Sequence, residues 1–350
     1  MRAILAAIAA LCAGGCAPTP ETSDATVEAQ VTQTIDEGAF IDINGLPQWV
    51  TVRGKDRRNP VLLMLHGGPG FPMSQWAPLV GPWEEHFTIV QWDQPGGGAT
   101  YAKSGAEAQG DLSVARYTRD GLAVAEWART HLGVRTIVVM GTSWGTLLGL
   151  EMVHARPELF SAYVGTAQVS SGFGDPRTFE IVLDAARARG DAAAVAALER
   201  VGPPPHARFA EFLVRQQFAN VPAPREAAQR AAMAPLFAPA PADARYTPHL
   251  PPHDFIAVFM AAQRAMFAEL QTYDLRRSVG TRFGVPIFVF QGDSDVNTPA
   301  SLARAYFDEI EAPQKDFVLL PGVGHDTTVF APELLTLLNE RVRPLAARTR

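Results

Sequence analysis

A short apolar run that breaks into Gly141-Thr142-Ser143-Trp144-Gly145 and then continues as an apolar helix constrains this chain more than anything else in it. Residues 136–140 are β-branched and apolar, the pattern of a short buried strand. Thr146-Leu147-Leu148-Gly149-Leu150-Glu151-Met152-Val153 follows as a helix packed on a sheet. Gly two residues either side of a Ser, at a turn from strand to helix, is the nucleophile-elbow pattern G-x-S-x-G. Such a serine is held in strained backbone that lifts its hydroxyl clear of the sheet, and the glycines remove Cβ atoms that would collide. The helix that opens there aims its N–H groups, the positive end of its dipole, at the hydroxyl. The remainder of the chain then has to supply a base, an acid and donors for an oxyanion.

The sheet that this turn requires is legible on both sides of it. Phe40-Ile41-Asp42-Ile43 and Gln48-Trp49-Val50-Thr51-Val52 flank Asn44-Gly45, a hairpin signal. Val61-Leu62-Leu63-Met64-Leu65 is a continuous apolar run of the kind buried on both faces of a parallel sheet, and residues 87–92, 162–166, 285–290 and 316–320 repeat the pattern. The spacing predicts a long helix over 114–132 ahead of the elbow strand. Alternating strands and helices predict an α/β fold, a mostly parallel doubly wound sheet opening with an antiparallel hairpin. Residues 171–283 are rich in Ala, Arg and Pro, helical in pattern and without a convincing strand. They are expected to form a helical cap, or lid, between two core segments, 35–170 and 284–350, above the C-terminal ends of the strands.

Polar residues stand just past the later strands. Gly292-Asp293-Ser294-Asp295 follows one apolar run, and Gly322-Val323-Gly324-His325 follows the last. Ser, then Asp, then His is the chain order of α/β-hydrolases. His325 is expected to take the proton of Ser143, with a carboxylate holding its other nitrogen in the right tautomer. Asp295 is preferred to Asp293 for that carboxylate because it lies further beyond the strand. His66-Gly67-Gly68-Pro69-Gly70 follows the strand at 61–65 and offers backbone N–H groups with no side chain in the way. The N–H groups of Gly68 and of Trp144, the residue after the nucleophile, are the expected oxyanion donors. The loop lacks the Lys-Ser/Thr ending of a phosphate-binding loop. His66 is expected to support that loop, and His206, His249 and His253, among lid prolines, to lie on the surface.

Composition narrows the function further. Of 350 residues, 47% are hydrophobic and 19% charged, enough core for one large α/β domain with an insertion or for two ordinary domains. Net charge is −6, and Lys55, Lys103 and Lys315 do not cluster, so nothing suggests a nucleic-acid partner. Cys12 and Cys16 both lie at the N-terminus, leaving no cysteine for a disulfide or metal site in the folded part; no metal and no cofactor are expected. Met1-Arg2 precedes an apolar stretch too short to span a bilayer, and Ala13-Gly14-Gly15-Cys16 resembles a bacterial lipobox. Residues 1–16 are thus expected to be an export signal ending at a lipidated Cys16, with a plain secretory signal and an ordinary cytosolic helix as the alternatives. The polar run 17–34 reads as a flexible tether. The chain is expected to be exported, either membrane-anchored or periplasmic or secreted.

His66-Gly67-Gly68-Pro69-Gly70, Trp92-Asp93-Gln94-Pro95-Gly96, Gly141-Thr142-Ser143-Trp144-Gly145, Gly292-Asp293-Ser294-Asp295 and Gly324-His325 stand in an order that resembles the proline iminopeptidase group of α/β-hydrolase serine peptidases, over residues 35–345. The resemblance implies a triad of Ser143, Asp295 and His325, an oxyanion hole of Gly68 and Trp144, and hydrolysis of a small peptide or amide with a proline-like N-terminus. Pro95 stands where that group commonly has Arg, and its Trp-Glu type lid pattern is missing. Glu180, Glu211 and Glu269 are the substitutes considered for binding a free amino group, with Glu269 preferred because its helix returns to the core. Two other readings stay open, a carboxylesterase or lipase-like hydrolase of small apolar esters and a non-catalytic binding protein on a hydrolase fold. Dehalogenase and epoxide-hydrolase chemistry uses a carboxylate nucleophile, and the elbow here holds Ser.

Overall fold

The computed structural model describes residues 33–237 and 255–347. Eight strands form one sheet: β1 (Ile35–Ile43), β2 (Leu46–Gly54), β3 (Val61–Leu65), β4 (Thr88–Trp92), β5 (Ile137–Thr142), β6 (Phe160–Thr166), β7 (Ile287–Gly292) and β8 (Lys315–Leu320). Their spatial order is β1-β2-β4-β3-β5-β6-β7-β8. β1 pairs antiparallel with β2 through a turn at Asn44 and Gly45, whose positive φ values of 54° and 86° are those a two-residue hairpin turn needs. β2 is also antiparallel to β4, and every pair from β4 to β8 is parallel. This is the mostly parallel, doubly wound sheet with an antiparallel start that the sequence predicts.

Helices cover both faces. α1 (Gly98–Ala108), α2 (Val114–Leu132) and α3 (Trp144–Ala155) come from the first half of the chain. α4 (Pro176–Ala188), α5 (Ala192–Val201), α6 (Phe209–Ala219), α7 (Pro224–Phe237), α8 (Phe255–Thr272) and α9 (Leu275–Ser278) lie between β6 and β7. α10 (Ala300–Glu309) and α11 (Thr327–Phe330) follow, and α12 (Glu333–Leu337) runs on through one π turn into α13 (Arg343–Ala347). α2 begins where the Ser113 hydroxyl accepts from the Arg116 N–H and ends at Gly133 in the left-handed conformation.

The continuous apolar strands are explained by burial on both sides. Leu63, Leu65, Val139 and Tyr163 point to one face, against Leu147, Leu150 and Val153 of α3 and Val124 and Ala128 of α2. Their neighbours Leu62, Met64, Val138, Met140, Ala162 and Val164 point to the other, against Trp83, Leu334, Leu338 and Val342. Each fully buried Val, Leu or Met among them contributes about 1.5–3 kcal/mol relative to exposure.

Two features of this frame position a site. β4 and β5 flank β3, so the chain's winding direction reverses at β3, and the loops leaving β3 and β5 open into the crevice formed there. Above it, among the described residues, 171–283 contributes helices and no extended strand. α4, α5 and α6 share a small core of their own, built on Phe179, Val182, Ala186, Leu198 and Ala219, while Met266 and Leu270 of α8 join the main core.

One sequence expectation is corrected here. His206 is buried rather than on the surface, as Pro204 is, with its backbone N–H donating to Gln271 Oε1 of α8 at 3.1 Å. His249, His253, Cys16, the segment 1–16 and the tether up to residue 32 lie outside the described residues.

Candidate active site

The elbow is built as its glycines require. Ser143 has φ 52° and ψ −121°, a conformation costly for any residue with a Cβ, and α3 starts at the next residue. A Cβ on Gly141 would run into the Gly145 carbonyl, and one on Gly145 into the carbonyl of Leu65 in β3. Strand, turn and helix therefore approach more closely than alanine would allow. The Ser143 N–H donates to the Thr166 carbonyl at 3.0 Å, and the Thr146 hydroxyl donates to the Ser143 carbonyl at 2.6 Å, so both ends of the strained residue are held.

β7 and β8 deliver the partners. The His325 Nδ1–H donates to Asp295 Oδ2 at 3.0 Å, which leaves Nε2 to accept from the Ser143 hydroxyl at 3.0 Å. Asp295 has a fully buried carboxylate that also accepts from the N–H groups of Asn297 and Thr298 (each 2.9 Å), the Thr298 hydroxyl (2.6 Å) and the Gln291 amide (3.2 Å). Burial opposes its charge, yet the His325 cation and these donors together hold its pKa below the usual carboxylate value. His325 shows the mirror case. Burial disfavours its cation, but the Asp295 charge and hydrogen bond outweigh that, with help from Asp326 and Glu226, and its pKa lies above 6.5. Asp293 instead accepts from the Ser294 hydroxyl (2.8 Å) and the Gly322 N–H (2.9 Å), which ties the two loops together away from His325.

Gly68 and Trp144 stand on either side of the serine. Among the described residues neither backbone N–H donates to a protein acceptor, and both residues line the cavity at Ser143. Their geometry is set by Gln94, just after β4. Its Oε1 accepts from the Trp144 indole N–H (2.9 Å), its amide donates to the His66 carbonyl (3.4 Å), and its backbone N–H donates to His66 Nε2 (3.2 Å). His66 therefore carries its proton on Nδ1 and donates it to the Gly67 carbonyl at 2.8 Å. Burial pushes His66 down to about 4, only partly offset by that hydrogen bond, so it is a neutral brace for the loop. Pro95, which stands where the resembled group has Arg, lends its carbonyl to the Tyr117 hydroxyl at 2.7 Å.

Two cavities meet at Ser143. The larger, about 340 Å3, is bounded by Phe71, Met73 and Phe259 on its apolar side and by Glu226, Arg230 and His325 on its polar side. The smaller, about 50 Å3, runs from Gly68 and Trp144 toward Ser170, Thr178, Arg215 and Asn297. The preferred lid acid, Glu269, lines neither. Its carboxylate accepts from the Val114 N–H (3.3 and 3.1 Å) at the start of α2, and it borders a separate open groove with Arg119 and Tyr273. That corrects the expectation: α8 presents Glu269 to the opposite side, where an unsatisfied helix N-terminus attracts a carboxylate. Glu180 is exposed, and Glu211 pairs with Arg208 at 2.7 Å.

Asp326 lines the larger cavity too, but the lid acid that reaches it is Glu226 on α7, which sequence reasoning missed. Only 1% of its side chain is exposed; Oε1 accepts from Arg230 at 2.8 Å, and Oε2 is buried without a partner against Gly324. Nothing in Pro224-Arg225-Glu226 separates it from an ordinary first-turn helix acid. Among the described residues no group of three or more His, Cys, Asp or Glu is arranged to hold a metal ion.

A nucleophile-length Ser–His–Asp relay beside two unused N–H donors can accept a proton, attack a carbonyl and stabilise the resulting oxyanion. Comparison with known proteins agrees with that chemistry. The model of the alpha/beta hydrolase fold family matches residues 60–332. The probable aminopeptidase YbaC of Bacillus subtilis is 27% identical over 305 residues, covering 84% of this chain and 92% of that one. A probable proline iminopeptidase of Streptomyces coelicolor is 34% identical over 106 residues, 30% of this chain and 31% of that one. A crystal structure of a proline iminopeptidase-related protein from Thermus thermophilus superposes with a TM-score of 0.61 at 20% identity, covering 90% of this chain and 99% of that one. With its sheet, its elbow and most of its length matched, the chain belongs to the alpha/beta hydrolase fold family.

Proposed function

We propose that this chain is a serine hydrolase of the proline iminopeptidase type, acting through an acyl-enzyme on Ser143. His325 accepts the hydroxyl proton as Ser143 attacks the carbonyl of an amide or ester, and Asp295 stabilises the imidazolium that forms. The N–H groups of Gly68 and Trp144 receive the oxyanion, each worth about 3 kcal/mol in the transition state. His325 returns the proton to the leaving amine or alcohol, then activates water to release the acid. The reading is carried by the unbroken chain from Ser143 Oγ through His325 to Asp295, 3.0 Å at each step.

Peptidase specificity rests on Glu226. It lines the larger cavity with His325, and a free α-ammonium needs a carboxylate partner in a partly dry cleft. The relatives named as aminopeptidase and proline iminopeptidase support the same substrate class. Phe71, Met73 and Phe259 also favour a second reading, hydrolysis of small apolar esters. We further propose that Cys16 carries lipid and that the exported protein is held at a membrane through the tether.

A fluorophosphonate probe tests the core of this reading. It is expected to label wild-type protein at Ser143 and to leave Ser143→Ala unlabelled and inactive with an unchanged melting temperature. Turnover surviving in Ser143→Ala would refute the mechanism. Free-amine prolyl arylamides, their N-blocked forms and nitrophenyl esters then separate the substrate classes, since equal cleavage of free and blocked amides would leave the esterase.

A further inference from the structure

The smaller cavity beside Ser143 ends on a guanidinium that the mechanism above does not use. Arg215, on α6, is only 3% exposed. Its Nη2 donates to Gln216 Oε1 (2.6 Å) and to Asn297 Oδ1 (3.4 Å), both neutral amides, and its Nε is buried with no partner at all. Among the described residues no carboxylate pairs with it. The Phe212 ring lies 5.5 Å from its guanidinium carbon and offers only a weak cation–π contact. The other ionisable side chain beside it, His206, is held neutral, its pKa lowered by burial and then by the charge of Arg215. A buried arginine normally has a carboxylate or phosphate on its fork; Arg215 has neither among the described residues, and it lines a cavity shared with Gly68, Ser143 and Trp144.

We infer that the Arg215 pocket is an anion subsite, and that the substrate carries a carboxylate on the part that enters it. This rests on the hydrolase reading of Ser143 and adds the substrate class. Burial lowers the Arg215 pKa to about 10, which leaves it cationic at neutral pH and ready for a charged partner. The cavity's size, about 50 Å3, and its other polar groups, Ser170, Thr178 and Asn297, suit a carboxylate on a short chain rather than a bulky ring. Glu226 and Arg215 border different cavities at the same serine, so a small zwitterion would find an acid on one side and a base on the other. The carboxylate has two sources in a peptide: the side chain of an acidic N-terminal residue or the C-terminus of a dipeptide.

Matched pairs separate these sources. Glutamyl and glutaminyl arylamides differ only in a side-chain carboxylate, and prolyl dipeptides and their C-terminal amides differ only in the terminal one. In one of the two pairs wild-type kcat/KM is expected to favour the acid by about 100-fold, the strength of a charge-assisted hydrogen-bonded pair. That ratio is expected to fall toward unity in Arg215→Gln and to be partly kept in Arg215→Lys. A structural tie from α6 to Asn297 would instead depress both members of each pair alike and leave their ratio unmoved. Propionate binding to wild-type protein, read by calorimetry and by its upward shift of the melting temperature, tests the pocket without turnover and without any variant. Ratios near unity in both pairs, or ratios that survive Arg215→Gln, or no propionate binding, overturn the subsite. Loss of all turnover together with retained propionate binding would refute the hydrolase reading and leave the anion pocket standing.

Discussion

Asp295 and His325 make their pairing testable through pH. His325 must be neutral to accept the Ser143 proton, and its folded pKa is raised above 6.5 by the Asp295 charge against the opposing pull of burial. Activity is therefore expected to fall as pH drops through that raised value, placing the acid limb of the kcat/KM profile above 6.5. Stability carries the opposite sign for the same group: its pairing contributes fully below the unfolded histidine value and is lost as pH rises through the folded one. Asp295→Asn is expected to move the acid limb down and to cut kcat about 10⁴-fold, because the neutral amide neither stabilises the imidazolium nor fixes its tautomer. A profile whose acid limb stays in place in Asp295→Asn would show that another group sets it. Glu226 gives the second prediction at this scale. Replacing it with Gln is expected to raise KM for free-amine arylamides about tenfold or more while esters change little, since only the amine loses a charge partner. Equal losses on both substrate types would assign Glu226 to packing against Gly324. The triad was legible in sequence because each member stands within a few residues of the end of an apolar strand, whereas Glu226 and Arg215 sit on lid helices whose inward face no local pattern declares.

Elements explain where that legibility ends. Strand identity was readable because both sheet faces are buried, which writes unbroken apolar runs such as Val61-Leu62-Leu63-Met64-Leu65 into the chain. α2 was readable over 114–132 from its spacing, and the structure caps that span with Ser113 and Gly133. α8 was recognised as a helix, but its rotation was not, because its apolar residues serve two neighbours at once: Met266 and Leu270 enter the main core while Phe259 lines the cleft. Glu269 thus falls on the far side and closes the N-terminus of α2 from another element. Glu269→Ala is expected to cost about 1 kcal/mol of stability, the worth of a helix-capping acceptor, and to leave KM for amine and ester substrates alike within error. Denaturant melts together with steady-state kinetics check both halves. A selective rise in KM for free amines would return Glu269 to the substrate site.

The lid and the N-terminus set how the whole molecule meets its substrate. Polar ties dock the lid over the cleft: Arg225 with Glu333 at 2.6 Å, Arg230 with Asp326, and Asn297 with Asn220 at 3.1 Å. Exposed ion pairs contribute only about 0–1 kcal/mol each, so these ties add little to the apolar anchoring of α8 through Met266 and Leu270. Under the proposal that Cys16 carries lipid, residues 17–34 would tether the catalytic unit to a membrane. A single acyl chain gives only marginal binding to a bilayer, while two hold a protein stably. If Cys16 is the lipidated N-terminus of the mature chain, the full-length protein is expected in the membrane fraction and in the detergent phase on Triton X-114 partitioning. Its intact mass should exceed that of the chain starting at Cys16 by the added lipid. Cys16→Ser is expected to move the protein into the aqueous phase or to leave the signal uncleaved, with kcat/KM on soluble substrates unchanged because the residue is remote in sequence from every group in the cleft. A wild-type product that is soluble and begins near Pro18 without added mass would instead assign residues 1–16 to a plain secretory signal.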